Sequence, residues 1–352
     1  ISSIDGLRGY LALGAFMHHS SLWFFYLKHG KWEFPAPSID THFGEISVAL
    51  FFMITGFLFT GKLRKAAPEG IDWLRLYTAR VLRIAPLWLV VKVLVVVTAL
   101  LIKGLALDIS NPAHLPSTAS TGLMTAGVTW TLYYEWLFYC TLPWLALLLR
   151  KKPTVAWLVC SAVVIALIGW DRLASIHSWM FVGGMLTAWL APLQPLRRFA
   201  CSAWGSLCAL ALVVGVATGF DSANACLPTL LLTAAFVLIA AGASLFGLLN
   251  VRLSRVLGEI TFSIYLLHGF LLFIAFRFVL GLHHASALDS AAHWILIAGL
   301  TPVLITLSYL SSRYVEAPAM HTTNTATARL QALSTRVLRR RQKAGSSSKA
   351  RT

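Results

Sequence analysis

The sequence predicts an all-α, polytopic integral membrane helical bundle of about ten transmembrane helices with both termini in the cytoplasm. Three observations carry that prediction. The chain of 352 residues is 58% hydrophobic and only 12% charged, against roughly 25% charged in a soluble domain, and its mean hydropathy is +0.74. Ten apolar stretches fall at 7–27, 43–61, 82–102, 123–148, 153–170, 174–190, 199–218, 227–248, 260–280 and 292–312; a bilayer core ~30 Å thick needs about 20 such residues. Basic residues then alternate from one connection to the next. If the N-terminus is cytoplasmic, the inward connections carry Lys62, Arg64, Lys65, Arg75, Arg80 and Arg83, then Arg150, Lys151 and Lys152, Arg197 and Arg198, and Arg252 and Arg255. The outward ones carry only Lys28, Lys31, Lys103 and Arg172. This is the positive-inside pattern. It explains the net charge of +16 as topology, and it removes nucleic acid as a partner, which such a charge would suggest in a soluble protein.

The first stretch is long enough to span and lacks a small-residue cleavage site, so it reads as a retained helix rather than a signal. The chain opens with Ile1 rather than Met, which implies that a short piece precedes it. Trp73, Leu74 and Tyr77 give the connection 62–81 an apolar face, expected of a short helix lying in the interface. The connection 103–122, with Pro112 and Pro116 among Ser, Thr and Asn, reads as a loop. Residues 1–318 form one membrane domain, and 319–352 a basic cytoplasmic tail. Within the tail, Leu330, Leu333, Val337 and Leu338 recur beside Arg336, Arg339 and Arg340, which fits either an amphipathic helix on anionic lipid or a disordered segment. The five cysteines form no CxxC pair and read as packing residues.

Ionisable side chains in hydrocarbon are costly, so each is a functional candidate. His18, His19, Lys92, Glu135, His268 and Arg277 fall inside the apolar stretches. At 1.5 Å per residue, His19 lies about 16 Å deeper than Arg8, while His268 and Glu135 lie about 12 and 18 Å into their spans. All three approach the midplane. An imidazole and a carboxylate at one depth can transfer protons, with the Glu orienting the His. His18 and His19 point about 100° apart on a helix and are not expected to face one site. Lys92 is expected to snorkel or to pair with Glu135. Arg80 and Arg83 share a helical face, which suits a phosphate. The run Gly56 to Lys62 imitates a phosphate-binding loop, but Leu63 replaces the required Ser or Thr. No metal-ligand spacing is present.

These residues fall into blocks that resemble acyltransferase family 3. Ile4-Asp5-Gly6-Leu7-Arg8-Gly9 followed by His19 is similar to the family's opening. Ser47 to Leu58 resembles its FF-x-x-SGFL element, with Thr55 where Ser is usual. Arg80-Val81-Leu82-Arg83 before Pro86 is similar to its RxxR signature. Trp130-Thr131-Leu132 leading to Glu135 and Phe138-Tyr139, Gly258 to His268, and Arg313 to Pro318 resemble its last three blocks. The resemblance covers residues 1–320. It implies transfer of an acyl group, commonly acetyl, from cytoplasmic acyl-CoA to a hydroxyl of a glycan or lipid-linked glycan across the membrane. Under it, His19 is catalytic with Arg8 its essential partner, Glu135 supports the site, and Arg80 and Arg83 contact the CoA phosphates. Asp5 and His268 match motif positions without an assigned role.

The resemblance further implies the bacterial cytoplasmic (inner) membrane, polysaccharide or lipopolysaccharide as acceptor, and no cofactor beyond acyl-CoA as co-substrate. Mid-membrane His and Glu also suit a proton-coupled secondary transporter, though no paired repeat is visible. A non-catalytic scaffold for envelope assembly would leave those residues without a task.

Overall fold

The computed structural model describes residues 2–66, 70–105, 122–168 and 175–349. Almost all of the expected loop at 103–122, and Arg172, lie outside them. Among the described residues the chain is helical and has no strand. The helices are α1 (Ser2–His29), α2 (Ile39–Lys65), α3 (Trp73–Leu105), α4 (Trp130–Leu148), α5 (Val155–Ile168), α6 (Ile176–Leu190), α7 (Gln194–Ala200), α8 (Ala203–Gly219), α9 (Cys226–Ala241), α10 (Arg252–Glu259), α11 (Thr261–Ile274), α12 (Leu282–Ser286), α13 (Ser290–Ser311), α14 (Ala317–His321) and α15 (Thr323–Lys349).

Each apolar stretch coincides with a helix, but the lengths differ. Four described helical segments are long and apolar enough to cross a membrane: Ile39–Lys65, Trp73–Ile102, Thr261–Val279 and Ser290–Arg336. The bent pair α7–α8, which turns by 82°, makes a fifth if it counts as one span. Helix α1 has 28 residues yet is not among them, because Asp5, Arg8, His18, His19, Ser20 and Ser21 dilute its apolar content. Two sequence expectations need correction. Trp73 opens α3 itself, continuous with the following span, rather than a separate interfacial helix. The stretch 123–148 is interrupted: residues 122–124 are helical, 125–129 form turns, and the long helix starts at Trp130.

Helix α1 is the hub, packing on α2, α10, α11 and the turn Leu248–Asn250. Its glycines permit this. A methyl at Gly6 would overlap the Leu249 carbonyl, one at Gly9 the Leu257 side chain, and one at Gly258 the Asp5 carbonyl. The Gly6, Arg8, Gly9 segment is therefore clamped by backbone-to-backbone contact, which fixes Arg8 in direction. Two apolar clusters flank α1. Ile4, Leu7 and Leu11 join the one built on α2, α4, α6 and α9; Ala12, Phe16 and Trp23 join the one built on α3, α11 and α13. Phe51 and Phe262 pack against both and mark the seam between them. Outward, α3 shows Leu89, Val93, Val96, Leu100 and Leu101, and α5 shows Val155, Val159 and Leu167. Such continuous exposed apolar faces are lipid-facing in a membrane protein and a liability in water.

The basic connections meet at one end of the bundle. There Lys151 Nζ donates to the Ala66 carbonyl (2.6 Å) and Arg64 to the Ala188 carbonyl. Ser3 donates to the Ile239 carbonyl (3.3 Å), and Arg75 Nε to Asn324 Oδ1 (3.1 Å). The start of α1 and the start of the tail thus share that end. The opposite end holds the contact of Glu45 with Ser222 and Ala223 and the ring pair Trp23–Trp32.

Candidate active site

Two cavities lie along the seam. The first, about 160 Å³, is lined by Arg8 of α1, Thr55 and Phe59 of α2, Arg80 of α3, Glu135 and Tyr139 of α4, and Phe262 and Tyr265 of α11. Two guanidiniums face one carboxylate across otherwise aromatic and aliphatic walls, so the cavity carries excess positive charge in an apolar setting. Glu135 accepts from the Tyr139 hydroxyl one helical turn away. The Arg80 guanidinium sits over the Phe59 ring at 5.3 Å.

The second cavity, about 110 Å³, is lined by Ala15, His18, His19, Gly44, Glu45, Val48, Trp130, His177, Asn224 and Tyr265. Val48 and Tyr265 wall both cavities. The Tyr265 hydroxyl is 2.9 Å from Thr131 Oγ1 and donates to the Val128 carbonyl at 3.3 Å, which holds the ring between them.

Hydrogen bonds fix the protonation pattern of the central imidazoles. His268 is fully buried, and its Nδ1 is 3.1 Å from the Ile264 carbonyl. A carbonyl only accepts, so Nδ1 carries the proton and Nε2 of the neutral ring is an acceptor. His268 Nε2 is 3.0 Å from His19 Nδ1, which also lies 2.9 Å from the Ala15 carbonyl. His19 Nδ1–H therefore donates to both. Its lone pair is on Nε2, which among the described residues makes no hydrogen bond. This is an oriented base, with its tautomer set from behind.

The structure brings His19 and His268 together, and Arg8, Arg80 and Glu135 together, but keeps the two groups in separate cavities. Glu135 is not the group that orients His19; His268 takes that position. Arg8 is eleven residues before His19 on one helix, about 16 Å away at 1.5 Å per residue. Arg83 leaves the cavity altogether. Its Nη1 pairs with Glu316 (3.2 Å), whose carboxylate is 1% exposed and also accepts from Ser263; the same nitrogen donates to Met320 Sδ (3.2 Å). Asp5 sits at the clamped start of α1, its carbonyl against Gly258. Lys92 lies over the Trp88 ring at 5.5 Å.

His18 and His19 do line one cavity, against expectation. Their rings stand edge to face at 4.9 Å, and the space lies between the two directions. Gly44 makes this possible, because a methyl there would strike the His18 ring. Glu45 and His177 were not singled out in the sequence, although both fall within the apolar stretches and the cost of burying charge marks them.

The sequence model of an acyltransferase domain matches residues 1–313. No curated protein and no solved structure matches the chain. A match over all of α1 to α13, with both cavities inside it, means that this chain belongs to acyltransferase family 3.

Proposed function

We propose that this protein is a membrane O-acyltransferase that passes an acyl group, with acetyl the expected case, from acyl-CoA to a hydroxyl of an envelope or exported glycan or glycolipid. The chain crosses the bacterial inner membrane about ten times, with the basic end, both termini and the tail from residue 319 on the cytoplasmic side. The observation that carries this reading is the pair of cavities meeting at Tyr265 and Val48, one cationic and one holding an oriented imidazole. Acyl-CoA is long, anionic at one end and a neutral thioester at the other. Arg8 and Arg80 supply the cationic station for it from the basic end, and Arg83 supports that end through Glu316. The acceptor reaches His19 from the opposite end.

In the transfer, His19 Nε2 takes the acceptor hydroxyl proton while the oxygen bonds the acyl carbon. The carbon–sulfur bond then breaks, and the proton goes on to the leaving thiolate. His268 accepts from His19 Nδ1–H and stabilises the imidazolium. Transient carriage of the acyl group on His19 Nε2 is the second reading. It is favoured by the Tyr265 wall, and ping-pong kinetics would identify it. Family membership speaks for transfer over proton-coupled transport.

The test is mass spectrometry of surface glycans from cells carrying the wild-type gene, its deletion or His19→Ala. Loss of one acyl mass in both mutant strains is expected. Retention of that mass in His19→Ala alone removes His19 from the chemistry. No change in the deletion strain removes glycans as acceptor.

A further inference from the structure

The part of the His19 cavity wall formed by α4 and α6 has a composition that catalysis does not require. Trp130, the first residue of α4, is 38% exposed. Its ring meets His177 at 5.0 Å and Tyr134 at 5.8 Å, both edge to face, and His177 meets Tyr134 at 5.1 Å. Phe52 closes the group from behind, stacked on Phe181 at 4.5 Å. A tryptophan serving only as an interfacial anchor has its ring toward lipid headgroups. This one lines a cavity that also holds His18, His19 and His177.

The polar rim beside it is held rigid. Both Glu45 carboxylate oxygens accept from the Ser222 hydroxyl (3.1 and 3.0 Å), and one also accepts from the Ala223 amide (2.6 Å). The Ser222 oxygen in turn accepts from the Asn224 backbone N–H (3.0 Å). A glutamate on α2 thus fixes the turn between α8 and α9, and that turn delivers Asn224 to the cavity. Glu45 is a positioning residue; Asn224 and His177 are the polar groups offered to a ligand.

An aromatic face, one amide and one imidazole in a small cleft suit a ligand with a flat apolar C–H surface and hydroxyls at its edge. We infer that Trp130, His177 and Asn224 form the acceptor subsite for a pyranose ring, its C–H face laid on the Trp130 indole and one hydroxyl turned to His19 Nε2. This rests on the transfer reading of the His19 cavity, but sugar binding is measurable without transfer.

The experiment is saturation-transfer NMR on the purified full chain in a phosphocholine detergent, which brings no sugar of its own. The probes are methyl β-glucopyranoside and methyl β-galactopyranoside, with glycerol as the ringless control. Binding of at least one glycoside through its ring C–H protons is expected. It should weaken about tenfold in Trp130→Ala, less in Trp130→Phe, and also in Asn224→Ala. Affinity unchanged in Trp130→Ala, equal losses for glycerol, or no binding of either glycoside to the wild-type chain would each overturn the subsite. Circular dichroism of each variant guards against misfolding, and Trp130→Phe keeps an aromatic plane if the alanine variant does not fold. Release of CoA from acetyl-CoA, followed separately, reports on the donor reading. Sugar binding without CoA release leaves the subsite standing and sinks the transfer mechanism.

Discussion

The cavity beside Arg8 and the cavity beside His19 share Val48 and Tyr265 as walls, yet they are made of opposite chemistry. In the first, fixed charge dominates: two guanidiniums and a carboxylate bound to Tyr139. In the second, three imidazoles face an amide and an indole, and its one carboxylate, Glu45, is committed to holding a turn. Fixed charge binds anions and holds them; neutral imidazoles move protons. Under the proposed function, the division separates binding from chemistry along one helix, α1, which contributes Arg8 to one cavity and His19 to the other. Mutations on the two sides should therefore divide between KM and kcat.

The largest effect is expected at His19. Changing it to alanine removes the imidazole whose Nε2 lone pair is oriented by His268 and the Ala15 carbonyl, and transfer should fall about 10²–10⁴-fold. Affinity for acyl-CoA, read by equilibrium binding, should stay unchanged. A comparable loss of donor affinity would break the division of labour. His268→Ala comes next. Partners that orient a metal-bound imidazole are worth about 10–100-fold; a loss of that order is expected here, and it should appear in kcat. His268→Gln, whose amide oxygen can accept from His19 Nδ1–H, should recover part of it. If alanine and glutamine behave alike, His268 fills space and does not set the tautomer.

On the other side, with Arg80 as the proposed phosphate contact, Arg80→Ala should raise KM for acetyl-CoA about tenfold with little change in kcat. The wild-type KM should also rise with salt, and less steeply in the variant. A purely kcat effect at Arg80 would place it in the chemistry and blur the contrast between the cavities.

Much of this architecture was legible in the sequence. Apolar stretches located the helices because burial in lipid demands them, and the cost of intramembrane charge marked His19, Glu135 and His268. Partnerships were less legible. His268 and Glu135 lie at comparable depth by residue count, but depth along a helix says nothing of direction, and α11 rather than α4 turns its side chain to His19. Arg80 and Arg83 share a face by spacing, yet they point about 60° apart. That angle sends one into the cavity and the other to Glu316, a partner 233 residues away in the chain whose carboxylate no local pattern could pair. His18 shows the same limit: its access to the site depends on the missing side chain of Gly44 on another helix.

Arg83 provides the smallest and most discriminating test. Its guanidinium, with the side chain 19% exposed, pairs with a Glu316 carboxylate that is 1% exposed, and Ser263 donates to the other carboxylate oxygen. Glu316 ends a π-helical turn, Ser312–Glu316, that joins α13 to α14. The pair therefore ties the segment before the tail to α3 and α11. Glu316→Gln keeps the size of the side chain and an oxygen for Ser263 but removes the charge opposite Arg83. An uncompensated, largely buried guanidinium should lower thermal stability in detergent by about 1–3 kcal/mol. It should leave kcat intact and change KM for acetyl-CoA less than Arg80→Ala does, since the ion pair lies outside the cavity. If Arg83 instead binds the donor directly, freeing it from Glu316 should tighten acetyl-CoA binding. A lower KM in Glu316→Gln would thus return Arg83 to the donor site and make the ion pair a competitor of the substrate.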